Sequence, residues 1–250
     1  PAGTRLKGAT LKLETYQSDI SNIYDSIQKD LKASKKVLFI GTPCQVAGIK
    51  AAFPENESLY LIDIICHGVS SLQFLKETLP HIKIPIANIK FREGTFFRFS
   101  LETSSGTEIL SRNLSNDMYM KGFFNGTTFR PNCYICPYAK QQRISDITIG
   151  DFWGIKSTTI KNIKDGISLS LINTLKGEML FNQCKDQMFT EIRPLNEAFA
   201  GNEQLNNPFK KTFRTSIFRY LYPKIGYNQA LWCALPDKVL AMHLKHLLKK

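Results

Sequence analysis

Hydrophobic positions along the first eighty residues switch between a helical and an extended periodicity. Between residues 18 and 34, apolar side chains recur every three to four positions, which predicts an amphipathic helix. Residues 36–40, a lysine followed by four apolar residues, predict a short buried strand. Thr42 can then cap a second helix, with Pro43 in its first turn and Gln45 completing a capping box. A strand followed by a capped helix is typical of an α/β fold.

The same order recurs directly afterwards. Residues 59–65 predict a second buried strand, followed by the loop 66–68 and by a second capping box at 70–73. Two strand–loop–helix units in succession favour parallel strands in one sheet. Ligands bind such sheets beyond the carboxyl ends of the strands, and Cys44 and Cys66 both fall at that edge.

The rest of the chain predicts an insertion and further sheet strands. Short alternating stretches between residues 86 and 114 predict antiparallel hairpins, and residues 115–143 predict a polar connection that bears aromatic side chains. Two more strands are predicted at 144–149 and 167–173, the second followed by a helix over 174–184. We therefore predict an α/β fold with a mixed, largely parallel sheet flanked by helices, an antiparallel hairpin insertion and a helical, basic C-terminal tail.

Composition limits the classes of protein to which the chain can belong. It has 250 residues, of which 43% are hydrophobic and 22% charged, and this composition excludes a disordered tail protein or a fibre. No run approaches the roughly 18 consecutive apolar residues of a membrane-spanning helix, and the first residues lack the apolar region of a secretory signal. We expect a cytoplasmic protein, and the missing initiator methionine indicates a trimmed or partial chain.

Positive charge is concentrated at the C terminus. The net charge is +12, and residues 205–250 contain nine Lys or Arg and one acidic residue. We predict a domain over residues 1–204 and a basic, mainly helical extension over 205–250. Such a tail can bind nucleic acid, an anionic membrane surface or an acidic protein, although a solvated basic helix is the simpler interpretation. No zinc-finger, RNP-like or basic-zipper pattern accompanies the charge, so no specific nucleic-acid binding is expected.

Two cysteines form a CxxC motif in a proline-rich context. Six cysteines are too few for a disulfide-dense secreted scaffold, and clustered cysteines in a reducing compartment indicate metal binding or catalysis. Cys133 and Cys136 have Pro131 shortly before them and Pro137 directly after them, which fits a ligand loop better than a thioredoxin-like dithiol. The pair could hold zinc or an iron–sulfur cluster, act as a redox dithiol or be incidental.

Two further cysteines complete a set of four thiols. Cys44 lies near a predicted helix start, where the helix dipole stabilises a thiolate, and Cys66 lies at the corresponding edge of the next strand. Either one taken singly is at least as well explained by a structural role. With the CxxC pair they supply the number of thiols that a [4Fe–4S] cubane or an all-cysteine zinc site requires. Their wide separation in sequence favours iron–sulfur over a compact zinc site.

Four sequence blocks surround these cysteines and the end of the strand predicted at 144–149. They are GTPCQVAG at 41–48, CHG at 66–68, RPNCYICPYA at 130–139 and SDITIGDFWG at 145–154, with shorter matches at 16–19 and 166–168. In this order, over roughly residues 12–200, they resemble the coenzyme F(420) hydrogenase/dehydrogenase beta-subunit family, an iron–sulfur flavoprotein family. The basic tail is much less diagnostic.

The resemblance implies an oxidoreductase that transfers electrons between a [4Fe–4S] cluster, FAD and a deazaflavin or another organic substrate. Carried over by position, the metal ligands are Cys44, Cys66, Cys133 and Cys136. The turn formed by Gly41, Thr42 and Gln45 is expected to contact the flavin phosphate or ring, since a helix N-terminus attracts anions.

Three more residues are expected at the flavin on the same grounds. His67 is expected to be catalytic, donating a proton or hydrogen bond near the flavin, but a buried structural histidine explains it equally well. Asp151 and Trp153 are expected to line the same pocket, although an aromatic residue after a strand more often belongs to a core.

The sequence departs from the family in one respect. Members commonly carry a ferredoxin-like segment with closely spaced cysteines, and no such run is present here. Either that segment was removed or a ferredoxin-like or other redox partner protein supplies the electrons to a small-molecule substrate. A homo-oligomer is compatible with the sequence. The alternatives are a zinc-stabilised, non-enzymatic interaction module and a relative that acts in surface-polysaccharide biosynthesis.

Overall fold

The strand–helix units, the antiparallel insertion and the C-terminal helices follow one another in the predicted order. The computed structural model describes residues 20–80, 82, 84–93, 96–155 and 166–247, with the backbone alone for 242–247. The beginning of the helix predicted from residue 18, the sequence block 16–19 and the last three residues of the tail lie outside this description.

The described elements are these. The helices are α1 (Ile23–Lys32), α2 (Pro43–Ala52), α3 (Leu72–Thr78), α4 (Met118–Phe124), α5 (Leu175–Cys184), α6 (Leu195–Gly201), α7 (Phe213–Ala234) and α8 (Pro236–Leu247). The strands are β1 (Val37–Gly41), β2 (Leu59–Ile64), β3 (Asn88–Glu93), β4 (Phe96–Glu102), β5 (Glu108–Asn113), β6 (Ile147–Asp151) and β7 (Ser168–Ile172). Short 3-10 helices lie at Pro131–Ile135, Lys185–Gln187 and Glu203–Leu205.

The strands form two sheets. In the first, β1 pairs in parallel with β2 and β2 with β6, while β7 runs antiparallel to β6. In the second, β3, β4 and β5 form an antiparallel meander. The mixed, largely parallel sheet, the antiparallel insertion and the helical C-terminal tail are therefore confirmed. No helix in the described ranges combines the length and the apolar character that a membrane span needs.

Two short helices fall where no helix was predicted. Helix α4 lies inside the segment interpreted as a polar connection, and α6 lies between the predicted α5 and the tail. Asp117 caps α4 by accepting a hydrogen bond from the Met120 backbone N–H at 2.7 Å. Tyr119 and Met120 are fully buried, so this helix depends on packing more than on periodicity.

The chain forms two compact units. Of the described residues, those within 20–67 and 135–208 form the parallel-sheet unit, and those within 68–134 and 209–247 form the meander unit. Helices α1 and α2 pack on one face of β1 and β2, with a core of Ile27, Phe39, Val46, Ile49, Leu59 and Leu61. A second core in that unit contains Ile65, Phe152, Leu169, Leu171, Ala198 and Leu205. The meander unit packs α3 and α4 on its sheet around Leu75, Phe91, Phe99, Leu101, Tyr119 and Met120.

Candidate functional site

The carboxyl ends of β1, β2 and β6 lie at one edge of the sheet, because the three strands run in the same direction. Thr42 directly follows β1, and Cys44 lies in the first turn of α2. Cys66 and His67 follow the end of β2, and Asp151 is the last residue of β6. The edge predicted for the first two cysteines is therefore confirmed. The same edge carries a histidine and a carboxylate.

The N-terminus of α2 is held by the predicted capping residues. The Gln45 Oε1 atom accepts hydrogen bonds from the Thr42 backbone N–H at 2.9 Å and from the Thr42 hydroxyl at 3.0 Å. The same hydroxyl lies 3.2 Å from Cys44 Sγ. Because a hydroxyl carries one proton, Thr42 can donate to Gln45 or to a Cys44 thiolate, but not to both. A hydrogen bond from Gln45 to a ligand would use its amide NH2 group, because its oxygen already accepts two hydrogen bonds from Thr42.

Gly41 is required by packing at the end of β1. A Cβ at this position would lie 2.9 Å from the Phe39 ring and 3.1 Å from Gln45 Oε1. Contacts below 3.0 Å are essentially never tolerated, so a side chain would displace either the core ring or the helix cap. This requirement explains the glycine without a ligand, and its contact with a flavin stays a prediction.

His67 and Asp151 are electrostatic neighbours within the parallel-sheet unit. Burial lowers the pKa of His67, and the negative charge of Asp151 acts in the opposite direction. Burial has the larger effect, so the neutral imidazole is favoured relative to a histidine in water. A neutral imidazole has one donor and one acceptor nitrogen, which suits it for hydrogen bonding to a ligand.

Trp153 lies in the turn after β6 and is 40% exposed, so it is not a core residue. Its carbonyl packs against the last residue of α6, because a Cβ on Gly201 would lie 1.7 Å from that oxygen. Helix α6 therefore supports the turn that carries Asp151 and Trp153. The hydrophobic pattern did not predict this helix, although Pro194 before it and Gly201 at its end are residues typical of helix boundaries.

The CxxC segment has one buried and one exposed residue between its cysteines. Cys133 lies in the 3-10 helix, and its N–H donates to the Arg130 carbonyl at 3.0 Å. Tyr134 is 7% exposed, and its hydroxyl donates to the Gly126 carbonyl at 2.7 Å. Ile135 is 76% exposed. The chain leaves the meander unit after Tyr134, so Cys136 belongs to the parallel-sheet unit.

The four predicted metal ligands have the donor chemistry of an iron–sulfur site. None of the six cysteines, all of which the structure describes, forms a disulfide, so their sulfur atoms are retained as thiols. Among the described residues, no three His, Cys, Asp or Glu side chains are already gathered around one metal position. Thiolates are the ligands that [4Fe–4S] clusters take, so the residue types fit. Their joint ligation stays a prediction.

Comparison with known proteins assigns most of the chain to one family model. The model describes the C terminus of the beta subunit in coenzyme F420 hydrogenase/dehydrogenase, and it matches residues 34–198. This span contains every residue predicted for the site and ends before α7. No curated protein matches the chain.

Proposed function

The chain belongs to the coenzyme F420 hydrogenase/dehydrogenase beta-subunit family, whose model covers more than half of it, and on that premise we propose that it is an iron–sulfur flavoprotein module. The family is one of oxidoreductase subunits. The module transfers electrons between a [4Fe–4S] cluster, FAD and a deazaflavin or another organic substrate. A beta subunit works beside other subunits, and the proposed partner is a ferredoxin-like or other redox protein.

One observation carries the proposal. Three adjacent parallel strands end at the same edge. A capped turn with a cysteine follows the first, a Cys-His pair follows the second, and an acidic residue ends the third. In α/β sheets this edge is where ligands bind. Thiol, imidazole and carboxylate groups together suit a redox site better than a purely structural edge.

Each predicted residue has a role in the proposal. When bound, the cluster supplies one-electron transfer and the flavin supplies hydride transfer. The thiolates of Cys44, Cys66, Cys133 and Cys136 hold the cluster. The turn of Gly41, Thr42 and Gln45 at the N-terminus of α2 orients the flavin phosphate or ring, because a helix N-terminus favours negative charge.

The remaining residues act on the flavin side of the site. His67 donates a hydrogen bond near the ring, for which its half-buried, neutral-favoured imidazole is suited, and it donates a proton there only from its imidazolium form. Asp151 orients His67 through its charge. The half-exposed Trp153 supplies an apolar surface that excludes water from the ring.

Replacing a proposed ligand tests this function. Wild-type chain purified without oxygen is expected to be brown and to contain iron, acid-labile sulfide and FAD. Cys136→Ser is expected to lose most of the iron and sulfide, since a serine oxygen is a poor substitute for a thiolate at this cluster. The measurements are iron and sulfide analysis, the visible spectrum and the flavin released on denaturation.

The matched control is Cys184→Ser, which changes a half-buried cysteine in α5 that is not in the ligand set. It should keep the wild-type iron content. A colourless wild-type protein that binds zinc would refute the proposal and favour the zinc-stabilised interaction module. Equal iron in both variants would remove Cys136 from the ligand set.

A further inference from the structure

The segment after Cys136 contains no helix or strand until β6 begins. Its described backbone consists of turns and bends. Near the cysteine, the Ala139 N–H donates to the Cys136 carbonyl at 3.4 Å, and at the far end the Asp146 N–H donates to the Leu61 carbonyl at 2.8 Å. The backbone polar groups between these two bonds have no ladder or helix partners, so they pair with side chains or with water.

One buried side chain, Arg143, provides such partners. Its Nη1 atom donates to the Tyr138 carbonyl at 2.8 Å and to the Lys140 carbonyl at 3.3 Å. Its Nη2 atom donates to Asp63 Oδ2 at 2.7 Å, and Nε donates to Thr148 Oγ1 at 3.1 Å. Arg143 therefore connects residues 138–140, which follow Cys136, to β2 through Asp63 and to β6 through Thr148.

The Asp63–Arg143 pair is almost completely buried, with side-chain exposures of 0% and 3%. Burial raises the pKa of Asp63, and the positive charge of Arg143 opposes that rise. A buried ion pair adds little net stability, because an apolar pair of similar volume is often as stable. The guanidinium instead fixes the relative positions of its partners, because its planar group of donors binds several acceptors at once. Here all three of its nitrogens have partners.

We propose that Arg143, held in place by Asp63, is a positioning residue for Cys136. It fixes the path of residues 138–140 through two carbonyl groups, and that path sets where the Cys136 sulfur points. The inference rests on the proposed function for the identity of the ligand, but the positioning itself is a property of the chain without a cluster.

Arg143→Lys tests the proposal with the charge retained. A lysine ammonium is a single point donor and cannot reach Asp63, Thr148 and both carbonyls together. We expect iron retention after reconstitution with ferrous iron and sulfide to weaken by about 10- to 100-fold, the usual effect of removing a group that orients a ligand. In the chain without a cluster, we expect faster alkylation of Cys136 by iodoacetamide, measured by peptide mass spectrometry.

Two controls separate positioning from general loss of stability. In the same samples, Cys44 should alkylate at the wild-type rate, because its helix is capped by Thr42 and Gln45 rather than by Arg143. Arg112→Lys alters another arginine that bonds a carbonyl, of Thr78 at 3.0 Å, and an aspartate, Asp117 at 3.5 Å, in the meander unit. This variant should leave both Cys136 alkylation and iron retention unchanged.

A double variant covers the case in which Arg143→Lys does not fold. Asp63→Leu/Arg143→Met removes both buried charges together, which avoids stranding one of them. It is expected to fold, to alkylate at Cys136 faster than wild type and to retain iron about 10- to 100-fold less well than wild type. Wild-type alkylation and iron retention in a folded variant would overturn the proposal. If the wild-type chain itself takes up no iron, the proposed function fails, and the alkylation rates still decide the role of Arg143.

Discussion

A hydrogen atom in place of a methyl group at Gly201 lets α6 lie directly against the backbone of the turn after β6. Packing is equally close at Gly41, where the Phe39 ring and the capping residue Gln45 leave no room for a Cβ atom. Both glycines support residues of the candidate site, Trp153 in one case and Thr42 in the other. At the scale of single residues, the site therefore depends on close backbone packing as well as on reactive groups.

Gly201→Ala is expected to destabilise the chain. The new Cβ would meet the Trp153 carbonyl at 1.7 Å, and because that atom is backbone, α6 or the turn has to shift. We expect the free energy of unfolding to fall by about 1–3 kcal/mol, the usual result of overpacking, in urea titrations followed by tryptophan fluorescence.

The control is Gly48→Ala, also in a helix. Its Cβ would meet the hydroxyl at the flexible end of Tyr24 at 2.9 Å. Alanine also favours the helix by up to about 1 kcal/mol, so the stability should stay constant or rise. Equal losses in the two variants would contradict the packing argument.

At the scale of elements, α7 contains a break that another helix caps. Gly226 has φ 75° and ψ 177°, and Pro223 shortly before it lacks an N–H. Glu77 of α3 accepts hydrogen bonds from the Tyr227 backbone N–H at 3.2 Å and from the Tyr222 hydroxyl at 2.7 Å. A carboxylate at the start of the second half of α7 satisfies an N–H and faces the positive end of the helix dipole.

Acid is expected to weaken this cap. Partial burial disfavours the Glu77 carboxylate, but hydrogen bonds from Tyr222, Gln73 and the Tyr227 N–H outweigh it and lower its pKa below the ordinary 4.5. A lowered carboxyl pKa gives stability that is present above 4.5 and is lost as the pH falls through the folded value. The hydrogen-bond donor to this carboxylate, Tyr222, shows the opposite shift: burial and the charge of Glu77 raise its pKa to about 12.

Glu77→Gln should therefore be less stable than wild type at neutral pH, and the difference should shrink on acidification below pH 4.5. Urea titrations at a series of pH values measure it. Glu57→Gln removes the same charge from an exposed position and serves as the control. A stability difference that does not change with pH would assign the effect of Glu77 to packing.

At the scale of the whole molecule, the C-terminal tail is part of the meander unit. Phe74 of α3 makes edge contacts with Phe218 at 5.4 Å and with Tyr222 at 4.8 Å between ring centroids. Arg214 pairs with Asp237 at 2.6 Å, and Arg219 donates to the Phe129 carbonyl at 2.6 Å. These cations of the basic tail therefore have partners inside the unit.

A chain ending at residue 204 tests the predicted domain boundary. Such a chain would lack the buried cluster of Phe218, Tyr227, Ala230, Leu231, Ala234, Leu235 and Val239. We expect the meander residues before 135 to lose hydrogen-exchange protection and the truncated chain to bind a hydrophobic dye, because α3 and α4 would expose apolar surface. Removing only residues 248–250 is the control. Full protection in the 204-residue chain would support a dispensable extension.

Short-range chemistry determined what the sequence alone could predict. The strand–helix order, the capping box of Thr42 and Gln45, the antiparallel insertion and the helical tail all follow from periodicity or from residues a few positions apart. The second cap was displaced by one residue. Ser71 caps α3, whereas Ser70 is buried against Thr128, a partner that no local pattern indicates.

Only the tertiary structure decided the contacts between distant positions. Arg143 and Asp63 are 80 residues apart in sequence. Helix α6 packs against the turn that contains Trp153, although β7 and α5 lie between that turn and α6 in the sequence. The sequence alone determined which residues stand at the ends of the parallel strands, since that depends on local pattern. Which side chains orient them was decided by the fold, because burial and hydrogen-bond partners exist only once separate segments pack together.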